Sequence, residues 1–97
     1  MAHIDYTEYI QNKLKAQGYP EKASSIVAIE LTKVDDTLKT LVEKWLKGNE
    51  DDYESQGYSI KTLMKSRNMT YPAALLTIDW LIKEPVAALK SLSKGNR

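Results

Sequence analysis

SIKTLMKSRNMTYPAALLTIDWL, residues 59–81, is the stretch on which the reading of this chain turns. Ser59 offers a hydroxyl to cap a helix, and Tyr58 and Leu63 stand in the N-prime and N4 places of a hydrophobic staple around it. A short helix is predicted from there to about Arg67. Asn68 tolerates the left-handed backbone that ends a helix. Thr70 can cap a second helix, with Pro72 in a first turn where a missing N–H costs nothing, running to about Lys83. Two helices joined by a three-residue turn set the expectation for the whole chain, because the rest carries the same periodicity.

Upstream, Asp5 can cap a first helix in which Tyr6, Tyr9, Ile10 and Leu14 fall at i, i+3, i+4 and i+8 before Gly18 stops it. Pro20 suits the first turn of a second helix, whose apolar stripe reads Ala23, Ile26, Val27 and Leu31 and which frays near Lys33. Asp35 or Asp36 can cap a third, carrying Leu38, Leu41, Val42, Trp45 and Leu46 and ending at Gly48. Downstream, Pro85 opens a last helix that fades at Gly95. No segment alternates with period two long enough to predict a strand. The fold class is therefore all-α, a bundle of five or six short helices in one domain over 1–97, with loose ends at about 1–4 and 94–97. The longest helices are expected near 36–47 and 71–83.

Between the third and fourth helices, GNEDDYESQG at 48–57 holds four acids, no base and a glycine at each end, and reads as an exposed connection. It fails as a calcium loop: counted from Asn49, Tyr53 falls on a ligand place and Glu54 replaces the turn glycine.

Composition narrows the function classes. A chain of 97 residues with 42% hydrophobic and 28% charged residues has a globular balance, so disorder is not expected. The sequence has no cysteine, and its one histidine, His3, is near the start, which removes thiolate chemistry and any histidine cluster as a metal site. MAHIDYTEYI lacks a basic segment followed by an apolar core, and uninterrupted apolar runs such as 26–29 reach only four residues. A cytoplasmic protein that does not span a membrane is expected. Net charge is +1 but uneven, with residues 1–60 at −4 and residues 61–97 at +5.

Residues 59–83 resemble the helix-turn-helix motif in layout. Leu63, Met69 and Ala74 occupy its interior apolar places and Asn68 its turn glycine, whereas Arg67, Thr77 and Met64 depart from the pattern. The resemblance implies a nucleic-acid-binding regulator, with Lys61, Lys65 and Arg67 as phosphate contacts. Against it stands the chemistry of the second helix. Its groove-facing places would be Thr70, Tyr71, Pro72, Leu75, Leu76 and Asp79, which lack the Arg, Lys, Asn or Gln that read base edges.

On a helical wheel that same helix has two apolar faces. Tyr71, Ala74, Leu75, Ile78, Leu81 and Ile82 form one; Ala73, Leu76 and Trp80 form the other, divided from it by Asp79 and Thr77. A central helix covered on both sides, with Trp80 buried, is expected for the monomer; the alternative is an uncovered second stripe that would be a partner-binding surface. No nucleophile stands beside a base, no carboxylate pair is set in an apolar context, and no glycine-rich phosphate loop occurs. Tyr6, Tyr9 and Tyr58 are expected in core or staple roles. The sequence thus points to a small non-enzymatic, cofactor-free helical module, structural or made for protein–protein interaction, which in the latter case contacts another protein or itself, as in a homodimer, through Ala73, Leu76 and Trp80. The nucleic-acid reading stands as the alternative.

Overall fold

The computed structural model describes residues 6–94, the side chain of Lys94 excepted. His3, the Asp5 cap and the expected loose ends lie outside these residues, except that the last helix continues through the backbone of Lys94. The fold is all-α. Among the described residues the elements are α1 (Tyr6–Ala16), α2 (Glu21–Thr32), α3 (Asp36–Leu46), the strands β1 (Glu54–Ser55) and β2 (Tyr58–Ser59), α4 (Ile60–Arg67), α5 (Tyr71–Lys83) and α6 (Pro85–Lys94). No described helix is long and apolar enough to cross a membrane. Contacts divide the chain into two units between Asn49 and Glu50.

In the first unit α1 packs chiefly on α2, and α3 touches both. Two of these helices end in the same way. After α1, Tyr19 N–H bonds Leu14 O and Gly18 N–H bonds Lys15 O; after α3, Asn49 N–H bonds Lys44 O and Gly48 N–H bonds Trp45 O. This is the paired-bond stop that needs a left-handed residue, and Gly18 and Gly48 supply it at φ 101° and 95°. Asp35 caps α3 by accepting from Thr37 N–H at 3.1 Å. Pro20 falls one place earlier than expected, at the N-cap of α2 rather than inside it.

The buried stripes of this unit differ from those the periodicity suggests. Ile10 and Leu14 are buried, but Tyr6 and Tyr9 are exposed, Tyr9 by 60%. On α2 the buried line is Ser24, Ala28 and Leu31, while Ile26 is 58% exposed and Ile29 also faces out. Size is the physical reason: Ser24 and Ala28 let a neighbouring helix approach closely, and the Ser24 hydroxyl is satisfied locally by donating to Glu21 O at 2.7 Å. α2 also has 12 residues against 11 for α3, so among the described residues the longest helices are α5 and α2. Trp45 is buried; the Lys13 ammonium lies 4.9 Å from its ring centroid and donates to its carbonyl.

In the second unit the end of the stretch expected as a plain connection pairs with Tyr58 and Ser59, the expected staple and cap of α4, in an antiparallel hairpin, with Glu54 opposite Ser59 and Ser55 opposite Tyr58. Gln56 and Gly57 both have positive φ, 54° and 84°, as a two-residue primed turn requires. Two residues per strand are too few to show as alternation, which is why the sequence does not announce them. α5 contacts β1, α4 and α6.

Candidate functional site

The helix-turn-helix-like pair is built as its sequence implies. Ser59 Oγ accepts from Thr62 N–H at 3.1 Å at the start of α4. Asn68 is left-handed at φ 56°, ψ 42°, and Thr70 caps α5, with Ala73 N–H 3.4 Å from its hydroxyl. Leu63 and Ala74 are fully buried, and Met69 is half-buried. Thr77, an ill-fitting residue at an interior place, turns its hydroxyl back to Ala73 O at 2.9 Å.

The two ends of the pair that would meet a nucleic acid are occupied from within. At the start of α4, Ile60 N–H bonds Tyr53 O at 3.0 Å, Lys61 N–H bonds the Asp52 carboxylate at 3.0 Å, and Thr62 N–H bonds Ser59 Oγ. Three of the four donors that a helix start leaves open are thereby used, and a carboxylate already sits at the positive end of the helix dipole. At the start of α5, Tyr71 is buried to 2% exposure and its hydroxyl donates to Asp51 O at 2.6 Å. Burial first, and then the carboxylates of Asp51, Glu50 and Asp52, push its pKa from 10.0 up to about 12. Pro72 and Leu75 are buried as well. Of the six groove-facing places, three are therefore inside the protein.

Lys61 and Lys65 are exposed beside a shallow hollow that Met64, Met69 and Glu50 also line. Arg67 has a different task. Its Nη2 donates to Leu92 O at 2.8 Å, tying the end of α4 to α6. The charge asymmetry also changes meaning. Cut at the structural boundary, residues 1–49 carry seven bases and seven acids, and residues 50–97 seven bases and six acids. The acidic hairpin segment belongs with the basic helices and neutralises them.

The two faces of α5 are treated unequally. Tyr71, Ala74, Leu75, Ile78 and Leu81 are buried. Ala73 and Leu76 are half-buried, and Trp80 is 37% exposed. The expectation that Trp80 lies in the core is thus corrected. Periodicity assigns a residue to a side of a helix, but it does not say how many sides the neighbouring elements cover. Between the faces Lys83 pairs with Asp79 at 3.1 Å, fixing a polar border on one edge of the open stripe.

The sequence missed the parts played by Asp51 and Asp52. Their signal was their place a few residues ahead of a capped helix, which the count of acids obscured. No three of His, Cys, Asp and Glu converge as metal ligands among the described residues. Comparison with family models, with curated proteins and with solved structures finds no match.

Proposed function

We propose that this protein is a non-enzymatic, cytoplasmic helical interaction module that contacts another protein, or a second copy of itself, through the outer stripe of α5. The observation that carries the reading is Trp80, left 37% exposed beside Leu76 and Ala73 on a helix whose opposite face buries Tyr71, Ala74, Leu75, Ile78 and Leu81 and leaves only Ile82 half-buried. Large aromatic rings at partly open positions, flanked by apolar neighbours and a polar rim, are where binding energy concentrates at interfaces. Here the rim is the Asp79–Lys83 pair.

Nucleic-acid binding is the weaker reading. Exposed Lys61 and Lys65 support it. The buried Tyr71, Pro72 and Leu75, the Arg67–Leu92 tie and the carboxylate at the α4 start all weigh against it.

Light scattering and partner capture on the parent and on Leu76→Asp test the proposal. The expected outcome is an oligomer or a captured partner with the parent, lost in the variant while its melting transition is retained. Association that survives both Leu76→Asp and Trp80→Ala, or a complex that dissolves steeply with salt as phosphate contacts do, would remove it.

A further inference from the structure

We propose that a cleft between α1 and α3 in the first unit binds a monomeric amphipathic anion, an apolar chain ending in a carboxylate. The cleft has two halves that share Tyr6, Glu43 and Leu46 as walls, and each half has a volume of about 360 Å³. That is within the range of small-molecule sites. One half is floored by the buried Ile10, Leu31 and Val42, and the half-buried Leu46 at its wall completes an apolar bed. The other is bordered by Lys13, Lys47 and Tyr9. Apolar and cationic groups are thus separated along the cleft, the distribution that suits a molecule with a tail and a charged head.

The charge balance selects the sign of the head. Lys13, Lys39 and Lys47 line the cleft against one carboxylate, Glu43. Lys39 is drawn to Asp36 at 3.4 Å on the open surface, so the head group belongs at the Lys13 and Lys47 end. Lys13 is already oriented there by its bond to Trp45 O and by the Trp45 ring. An ammonium carries three donors, so that bond leaves others for a carboxylate. Glu43 opposes the same ligand, which gives the idea two variants of opposite sign. The exposed Tyr6 and Tyr9, unexplained by packing, become the wall that covers the chain.

Trp45 reports on the site, because it lies beneath Lys13 and is one of only two tryptophans. In a Trp80→Phe background it is the sole indole, and the outer face of α5 is kept out of the measurement. Sodium dodecanoate, titrated below its micelle concentration, is expected to change Trp45 emission saturably with one site. Lys47→Gln should weaken binding about threefold and Glu43→Gln tighten it about threefold, the scale of partly screened charge pairs. Dodecyltrimethylammonium should show the reverse order. Both substitutions are at exposed positions, and circular dichroism checks that the helices persist. The proposal is overturned by non-saturable binding, by equal affinity for the two amphiphiles, by indifference to both substitutions, or by capture on anionic phosphatidylglycerol vesicles without binding of monomeric dodecanoate.

Discussion

Tyr71→Phe removes one oxygen from the joint between the acidic hairpin segment and α5, and its consequences can be worked through with pH. The hydroxyl donates to Asp51 O at 2.6 Å from a buried ring. Losing one such bond costs about 1 to 1.5 kcal/mol, toward the lower figure if water reaches the half-buried Asp51 carbonyl. That is the difference expected at pH 8, where the phenol is neutral in both folded and unfolded chains. Tyr71 ionises near 10.0 when unfolded but only near 12 when folded. Above pH 10 the unfolded chain therefore holds fewer protons than the folded one, and stability falls as pH rises toward 12. At pH 11 the loss from this group is about 1.4 kcal/mol, because one pKa unit of separation has been crossed, and its ceiling beyond pH 12 is roughly 2.7 kcal/mol. The Tyr71→Phe variant, with no phenol to ionise, has no such loss. Urea unfolding of the two proteins at pH 8, 10 and 11 should show the parent ahead at pH 8 and the difference close to zero at pH 11. A gap that stays constant across that range would show that Tyr71 is not held neutral by the fold, and the account of the joint would fail.

Trp80→Ala should cost about 2 kcal/mol, below the 3 to 5 typical of fully buried aromatic truncations, because the residue is already more than a third exposed; thermal or urea unfolding of the monomer measures it. Arg67→Ala should destabilise by about 1 to 2 kcal/mol and speed amide exchange in α6, since the guanidinium bond to Leu92 O is lost. Arg67→Lys should restore only part of the loss, as a compact ammonium keeps a donor but not the reach and fixed direction of the guanidinium N–H that bonds Leu92 O. Ser24→Leu should cost about 1 to 3 kcal/mol by forcing a large side chain into a fully buried place on α2, whereas Ser24→Ala should be almost neutral, and urea midpoints separate the two.

Much of the fold was legible because it rests on local rules. Ser59 and Thr70 cap the helices they were expected to cap, Asp35 rather than Asp36 caps α3, Gly18 and Gly48 stop theirs, and Asn68 takes the left-handed turn. Each of these depends on bonds within about five residues. The sequence also separated the two faces of α5 correctly. It did not show that Tyr6, Tyr9 and Ile26 face outward while Ser24 is buried, because that depends on how closely one helix can approach another.

What the sequence by itself determined is the order of the helices, the caps and stops at most of their ends and the helix-turn-helix-like layout, since caps, stops and periodicity act through neighbours along the chain; the short hairpin between α3 and α4 was not among them. The tertiary structure decided which of those surfaces remain available. It folded Glu50, Asp51 and Asp52 back beside α4 and α5, put a carboxylate at the helix start where a phosphate would bind, and bonded Tyr71 to Asp51 and Arg67 to Leu92. It left Trp80 partly open, seated Lys13 on Trp45, and drew lysines and an apolar bed together along one cleft of the first unit. The bonds that do this join residues 9 to 32 positions apart, and no local periodicity encodes which distant group will satisfy a donor or cover a face.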